Sequence, residues 1–102
     1  DYDEKTTRKK WKNNAEELMQ EWGGVLSEIT DFSSDNIETS FKSFLEKKEL
    51  GVGAVLPLFR LVITGKGMGP SMFEIAAFLG KDECVARISE GIAVLSKAST
   101  NA

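Results

Sequence analysis

The sequence predicts an all-α protein, a compact bundle of five to six short helices. Apolar residues recur at helical spacing along the chain, and no segment alternates between apolar and polar residues over the length of a strand. Residues that start or stop helices also bound most apolar segments, with Ser or Asn before them, Gly after them and Pro in the first turn. The 102 residues are enough for one domain with a modest core.

Two helices are expected in the first third of the chain. Residues 3–11 form a short and mostly polar candidate helix. The next is predicted from Asn14 to Ile29, where Gly23 and Gly24 each weaken the helix by about 1 kcal/mol relative to Ala. The glycines indicate either a break or the close approach of another helix. The face expected to be buried contains Leu18, Met19, Trp22, Val25, Leu26 and Ile29.

The middle of the chain predicts two further helices. One runs from about Ser34 to Lys48, with Ser33 or Ser34 as its N-cap. The other runs from Leu56 to Thr64, after the separating segment Gly51-Val52-Gly53, and Pro57 suits its first turn. Gly65 is the expected left-handed stop. The first of these two helices is expected to bury Ile37, Phe41, Phe44 and Leu45.

Two helices are expected in the last third. Pro70 opens one, which Gly80 ends, and the other runs from about Asp82 to Leu95 before a polar, frayed tail. In the first of these, one side is lined by Met72, Phe73, Ala76 and Leu79. In the second, the inward residues are Val85, Ile88, Ile92 and Leu95.

Composition excludes several classes of chemistry. The chain has no His and one Cys, so it has neither a Ser–His nor a Cys–His pair nor a zinc site of the usual kind. We therefore expect no catalytic residue and no metal ligand. No apolar run approaches the ~20 residues of a membrane span, and the N-terminal segment is not a signal peptide. Cys84 cannot form an internal disulfide, which favours a cytoplasmic location.

Charge is distributed unevenly along this chain of net charge −3. Residues 13–39 carry only acidic charges, and those carboxylates are expected to form a solvated face. Residues 51–81 contain Arg60, Lys66 and Lys81 against Glu74. The second half therefore predicts a small positive surface that can guide a polyanion, with few phosphate contacts.

The glycine-rich segment GKGMGP, residues 65–70, lies between two apolar helices. It is not a phosphate-binding P-loop, because no strand precedes it and no Lys-Ser or Lys-Thr pair opens the next helix. Arg60, a few residues earlier, has two interpretations. It either packs its stem and pairs with a carboxylate such as Glu74, or donates to an anionic or base-edge partner. Trp11, beside a basic run, is likewise either part of a solvated helix end or a base-stacking group.

Residues 57–81, PLFRLVITGKGMGPSMFEIAAFLGK, resemble a known signature. This is PLR-x-AL-TG-x-x-x-GP-x-LFE-x-x-x-x-LGK of the C-terminal anticodon-binding domain of bacterial glutamyl-tRNA synthetases. YDEKTTRKKWK, the helix around residues 35–48 and LGVG are also similar to that family. This chain departs from the signature by one extra residue before Arg60 and by Met72 where Leu is common.

The resemblance implies an all-helical, non-catalytic anticodon-binding domain of glutamate–tRNA ligase. Its partners would be the anticodon loop of tRNA(Glu) and the preceding domains of a monomeric, cytoplasmic ligase. The domain itself would need no cofactor, whereas the parent enzyme would use ATP and magnesium. The implied organisation is a helix or linker from the preceding subdomain at 1–12, the anticodon-binding domain at 13–98 and a frayed tail at 99–102.

The resemblance also assigns roles to residues at the corner, which is the glycine-rich junction between the helix that ends at Thr64 and the helix that follows it. Arg60 is expected to contact the third anticodon base, and Gly69, Pro70 and Met72 to lie against the second and third bases. The first-turn N–H groups of Ser71 and Met72 would donate to RNA. Supporting residues are Thr64, Gly65 and Phe73, and possible contacts to the RNA backbone are Lys66, Arg8, Lys9 and Lys10. The alternative hypothesis is a helical protein–protein interaction or structural domain in which the glycine corner is only a turn.

Overall fold

The structure, a computed structural model, describes residues 2, 5, 11, 14–66 and 71–100, the last five through their backbone only. Its helices are α1 (Ala15–Ser27), α2 (Ser34–Lys48), α3 (Val52–Thr64), α4 (Met72–Leu79) and α5 (Lys81–Thr100). No strand occurs in this part of the chain, so the all-α prediction is confirmed. The radius of gyration of 12.6 Å matches the ~13 Å expected for one domain of about 100 residues. The helix expected at residues 3–11 falls largely outside the described positions.

Local signals place α2 at its predicted bounds. The side chain of Ser33 accepts a hydrogen bond from the backbone N–H of Asn36 at 3.2 Å, which satisfies one of the donors left over at a helix start. The predicted face of α2 is the buried one, with Ile37 and Phe41 at its centre. A serine cap followed by a helical apolar stripe is therefore sufficient to define this element.

Trp22 of α1 is the centre of the core. Its ring lies edge-on to Phe41 of α2 at 5.0 Å and to Phe59 of α3 at 5.4 Å, and it is tilted against Phe44 at 5.5 Å. Such aromatic pairs contribute about 0.5–1.5 kcal/mol each beyond the area they bury. The indole Nε1 is buried and has no hydrogen-bond partner among the described residues. The ring contacts of this one residue connect three helices.

Helix α5 packs mainly across α1 and α3, and a glycine lies at each of these two contacts. A Cβ on Gly23 would lie 3.4 Å from Ile88 Cγ2, whereas one on Gly91 would lie 2.7 Å from Val62 Cγ1 and 2.9 Å from Val62 Cβ. Gly91 therefore sits where α5 and α3 are too close for any side chain. Helix α1 continues through its glycine pair without a break, which decides between the two alternatives left open by the sequence.

The helix bounds differ from the prediction by two or more residues in four places. Helix α1 ends at Ser27 and not at Ile29. Helix α3 begins at Val52, not Leu56, so Pro57 lies inside it. Pro57 leaves the carbonyl of Gly53 without its helical donor, and Gly53 is exposed, so water can take the donor's place. Helix α4 begins at Met72 and not at Pro70, because Ser71 is its N-cap. Helix α5 continues past Leu95 to Thr100, since no Gly or Pro stops it there.

Cys84 is a buried free thiol in α5. Its S–H donates to the carbonyl of Ala76 in α4 at 3.4 Å. Burial raises the pKa of the Cys84 thiol from its ordinary 9.0 to about 11, with smaller opposing contributions from Arg87 and Glu83. The neutral thiol is thus part of the contact between α4 and α5.

We predict that Gly91→Ala and Gly24→Ala change stability in opposite directions. Gly91→Ala should lower the free energy of unfolding by about 1–3 kcal/mol, since the new methyl group overlaps Val62. Gly24 is exposed in α1 with no atom within 4 Å, so Gly24→Ala should raise it by about 0.5–1 kcal/mol through helix propensity. Urea unfolding measures both. Equal effects of the two substitutions would contradict the close approach of α3 and α5.

A second prediction concerns alkaline pH. The Cys84 thiol stays protonated in the folded chain up to a pKa of about 11, whereas the unfolded thiol ionises near 9.0. Its contribution to stability is therefore fully present below pH 9 and is lost as pH rises from 9 through 11. Urea unfolding at pH 7.5 and at pH 10.5 should show a larger loss for the natural chain than for Cys84→Ala, in which the other titrating groups are the same. An identical loss in both chains would contradict this assignment.

Candidate nucleic-acid interface

The corner is the junction of α3 and α4; its described residues are 60–66 and 71–73. Helix α3 ends at Thr64, and Gly65 follows with φ 78°, in the left-handed region that favours glycine. The N–H of Gly65 donates to the carbonyl of Leu61 at 2.8 Å. The prediction that Gly65 stops this helix is confirmed, and the chain turns sharply at this point.

Thr64 links both sides of the helix end. Its Oγ1 donates to the carbonyl of Arg60 at 2.8 Å and accepts from the backbone N–H of Lys66 at 3.1 Å. One hydroxyl therefore joins the last turn of α3 to the first residue after Gly65. This gives the Thr-Gly pair of the sequence a physical role, which is to set the direction in which the chain leaves α3.

Arg60 is the one charged residue of α3. Its neighbours Phe59 and Leu61 are fully buried, while Arg60 itself is partly exposed. The apolar neighbours anchor this part of the helix in the core. Lys66, beyond the turn, is exposed. Both cations predicted for this part of the site therefore reach the surface.

The start of α4 provides backbone donors and packing. Ser71 is exposed and its side chain accepts from the N–H of Glu74 at 3.5 Å. Met72 is only 1% exposed, so its side chain belongs to the core and only its backbone can face a ligand. The ring of Phe73 lies 5.5 Å from that of Phe41 and supports this end of α4 from behind. N–H groups in a first helical turn have no acceptor within the helix, which suits them to bind an acceptor on a partner.

Several predicted site residues lie outside the described positions. Gly69 and Pro70 of the corner belong to this group, as do Arg8, Lys9 and Lys10 of the N-terminal segment. Trp11 is described and is 5% exposed within the core. Neither interpretation of Trp11 is therefore right, because the ring is part of the packing and not of a surface.

Two other cations, Lys81 and Arg87, donate hydrogen bonds to backbone carbonyls at or just after helix ends. Lys81 Nζ donates to the carbonyl of Ile29, just after α1, at 2.8 Å, so Lys81 is engaged structurally. Arg87 Nη1 donates to the carbonyl of Ile63, in the last turn of α3, at 2.8 Å. Sequence reasoning missed Arg87 because its acceptor is a backbone carbonyl 24 residues away. One sequence feature could have indicated such a partner: α3 has no basic residue in its own last turn to interact with the carbonyls there.

A shallow groove runs beside the corner between α3 and α5. Its polar lining includes Thr64, Arg87, Tyr2 and the two carboxylates of Glu83 and Glu90. Burial, together with the charge of Glu90, raises the pKa of Tyr2 above its ordinary 10.0. Two carboxylates against one guanidinium disfavour a phosphate here.

The described residues contain no group of three or more His, Cys, Asp and Glu side chains placed to hold a metal ion. None of the helices in these ranges is long and apolar enough to cross a membrane. The acidic residues of α1 are exposed, as expected of a solvated face. The chemistry that the described corner residues offer is hydrogen-bond donation, from Lys66 and from the first-turn N–H groups of α4.

Known protein families and sequences match most of this chain. A family model described as "Anticodon binding domain" matches residues 1–92. The chain is 42% identical over 95 residues to a glutamate–tRNA ligase of Phocaeicola vulgatus, and 47% identical over 94 residues to one of Flavobacterium psychrophilum. These alignments cover 93% and 92% of this chain, respectively, and 19% of each ligase.

A solved structure shows the same fold. The crystal structure of a glutamate tRNA ligase from Elizabethkingia meningosepticum, in complex with its amino acid, matches with a TM-score of 0.86 and 34% sequence identity. The match covers 92% of this chain and 18% of that protein. The chain thus spans about a fifth of the length of the curated relatives it matches.

We predict that Thr64→Val loosens the corner. It removes a hydroxyl that makes two hydrogen bonds while keeping the side-chain shape, so the free energy of unfolding should fall by about 1 kcal/mol. The Lys66 amide should shift in the NMR spectrum and exchange faster with solvent. Thr39→Val, at an exposed position of α2, is the matched control and should stay within about 0.5 kcal/mol. An unchanged Lys66 amide would show that the hydroxyl does not order the turn.

Proposed function

The chain belongs to the family of anticodon-binding domains, and from this premise we propose that it recognises the anticodon loop of tRNA(Glu) as a non-catalytic part of a glutamate–tRNA ligase. The observation that carries the proposal is the position of Arg60, the one charged side chain of the apolar helix α3, at the corner where that helix ends. The likeness to glutamate–tRNA ligases over 92–93% of the chain supports the choice of tRNA.

The chemistry of single-stranded RNA fits this corner. Loop bases are unstacked, so a protein can reach their Watson–Crick edges with fixed donors. The planar fork of Arg60 can donate to the carbonyl edge of a pyrimidine at the third anticodon position. Backbone N–H groups of Ser71 and Met72 supply further donors at the start of α4. Gly69 and Pro70, between these two elements, are proposed to lie against the second and third bases.

The remaining residues of the proposed site either support the corner or are proposed to approach the RNA backbone. Thr64 and Gly65 set the turn, and Phe73 supports α4 through Phe41. Lys66 faces solvent and is proposed to approach the RNA backbone, as are Arg8, Lys9 and Lys10. With a net charge of −3 and few phosphate contacts, the domain gains most of its tRNA affinity from being linked to the rest of the ligase.

The parent enzyme sets the wider context of the proposal. It would attach glutamate to tRNA with ATP and magnesium, in domains outside these residues, as a monomer in the cytoplasm. We propose that this domain itself supplies no catalytic residue and needs no cofactor. Its contribution to the reaction would be selection of the correct tRNA.

We predict that Arg60→Ala in a glutamate–tRNA ligase carrying this domain weakens recognition of the third anticodon base. The kcat/KM for tRNA(Glu) should fall on the order of 10- to 100-fold, the range of one lost specific base contact. A tRNA altered at that base should be affected far less, so discrimination between the two tRNAs should fall. Arg60→Lys should recover only part of the loss, because an ammonium lacks the planar fork.

Lys42→Ala on the exposed face of α2 is the control for loss of one surface cation. It should leave both kcat/KM and discrimination unchanged. If Arg60→Ala folds normally by circular dichroism and still discriminates like the natural enzyme, the anticodon role of Arg60 is wrong. The corner would then be only a turn in a helical interaction or structural domain.

A further inference from the structure

We propose that Arg87 is a positioning residue for the anticodon site. From α5 it fixes the last turn of α3, and with it the turn beside Arg60, relative to α4. This inference rests on the proposed function, since it concerns how accurately the same site is held. Arg87 lies outside the motif of residues 57–81 and is placed by contacts that only the folded chain creates.

The guanidinium of Arg87 is held at two of its nitrogens. Nη1 donates to the carbonyl of Ile63 at 2.8 Å, and Nε donates to Glu83 Oε2 at 2.7 Å. Glu83 lies one helical turn earlier on α5, so its carboxylate orients the fork towards α3. A planar group fixed at two edges has little freedom to rotate, and it therefore gives the carbonyl of Ile63 a defined position.

The last turn of α3 contains carbonyls that require hydrogen-bond donors from outside the helix. The last four carbonyls of a helix have no donor within it and carry partial negative charge. Gly65 N–H serves Leu61, but α3 contains no basic residue in its last turn. Arg87 supplies both the donor and the positive charge from another helix. It satisfies a carbonyl one residue before Thr64.

The contact from Arg87 to Ile63 is also long-range. The hydrogen bonds of Thr64, Gly65 and Ser71 join residues two to four positions apart. They shape the turn locally and leave its placement on the bundle undetermined. The bond from Arg87 to Ile63 spans 24 residues and connects the turn to α5.

Helix α5 contacts both sides of the corner. One turn before the Arg87 contact to α3, the Cys84 thiol donates to Ala76 of α4. Farther along, the close approach of Gly91 to Val62 fixes how near α3 and α5 lie. The Gly91 contact sets separation, whereas the directional bond from Arg87 sets the position of the α3 end. A binding site must be held to within about 0.5 Å by such supporting contacts.

The test compares Arg87→Met, which keeps the side-chain stem, with Arg87→Lys and Lys42→Met in a glutamate–tRNA ligase carrying this domain. Lys42 is the matched control because it forms an i,i+4 pair with Glu38 at 3.3 Å, of the same type as Glu83–Arg87, on the exposed face of α2. Arg87→Met should raise the KM for tRNA(Glu) on the order of tenfold. The kcat and the KM values for glutamate and ATP should stay within about twofold. Arg87→Lys should recover part of the loss, and Lys42→Met should match the natural enzyme.

A purely structural role gives a different pattern. Arg87→Met would then lower the melting temperature and the active fraction while leaving the KM for tRNA unchanged, and that result overturns the inference. Should Arg87→Met fail to fold, Glu83→Met at an exposed position decides, because it removes both side-chain oxygens and with them the acceptor of Nε. It frees Nε and should raise the KM for tRNA by about two- to threefold. No change in that variant also overturns the inference.

The Arg60→Ala variant distinguishes failure of the proposed function from failure of the inference about Arg87. If Arg60→Ala leaves tRNA recognition unchanged, the anticodon assignment is wrong and the role of Arg87 is wrong with it. If Arg60→Ala weakens recognition and the Arg87 variants do not, only the positioning inference is overturned.

Discussion

Burial of Trp22 among phenylalanine rings is the constraint on which the rest of this structure depends. Its indole contacts rings from α2 and α3 within 5.5 Å, so the first three helices share one centre. Phe41 extends that centre to α4 through Phe73. Rigid aromatic rings packed edge to face tolerate little displacement, which fixes the helices that carry the corner. The buried Nε1 has no hydrogen-bond partner within the described part of the chain, a cost of about 1–3 kcal/mol that the surrounding ring contacts must outweigh.

Helix α5 completes this arrangement in a different way. The core would hold α3 and α4 by non-directional packing, whereas α5 adds directional contacts at their backbones. Cys84 donates to α4, Arg87 donates to α3, and Lys81 donates to the carbonyl of Ile29 beyond α1. Each acceptor is a main-chain carbonyl. One helix thus sets the relative positions of three others, and the corner inherits its geometry from contacts made outside it.

Few cations lie near the corner. Of these, Lys81 and Arg87 satisfy backbone carbonyls, Arg60 is partly exposed and Lys66 is exposed. So small a set is poorly suited to bind nucleic acid through phosphate contacts alone. In the proposed function the domain would instead test a few base edges with fixed donors, and other domains of a ligase would supply affinity.

The helical class, the bounds of α2 and the helix stops at Gly65 and Gly80 could be predicted from the sequence, because they depend on local periodicity and capping. The family could be predicted as well, because it depends on the spacing of a motif. It misplaced the start of α3, since Pro57 is tolerated inside a helix whose freed carbonyl faces water. Only the tertiary structure decided that Trp11 is core and that Arg87 reaches Ile63. Both depend on which surfaces meet after the helices pack. The local sequence around Arg87 does not indicate a contact with a residue 24 positions away.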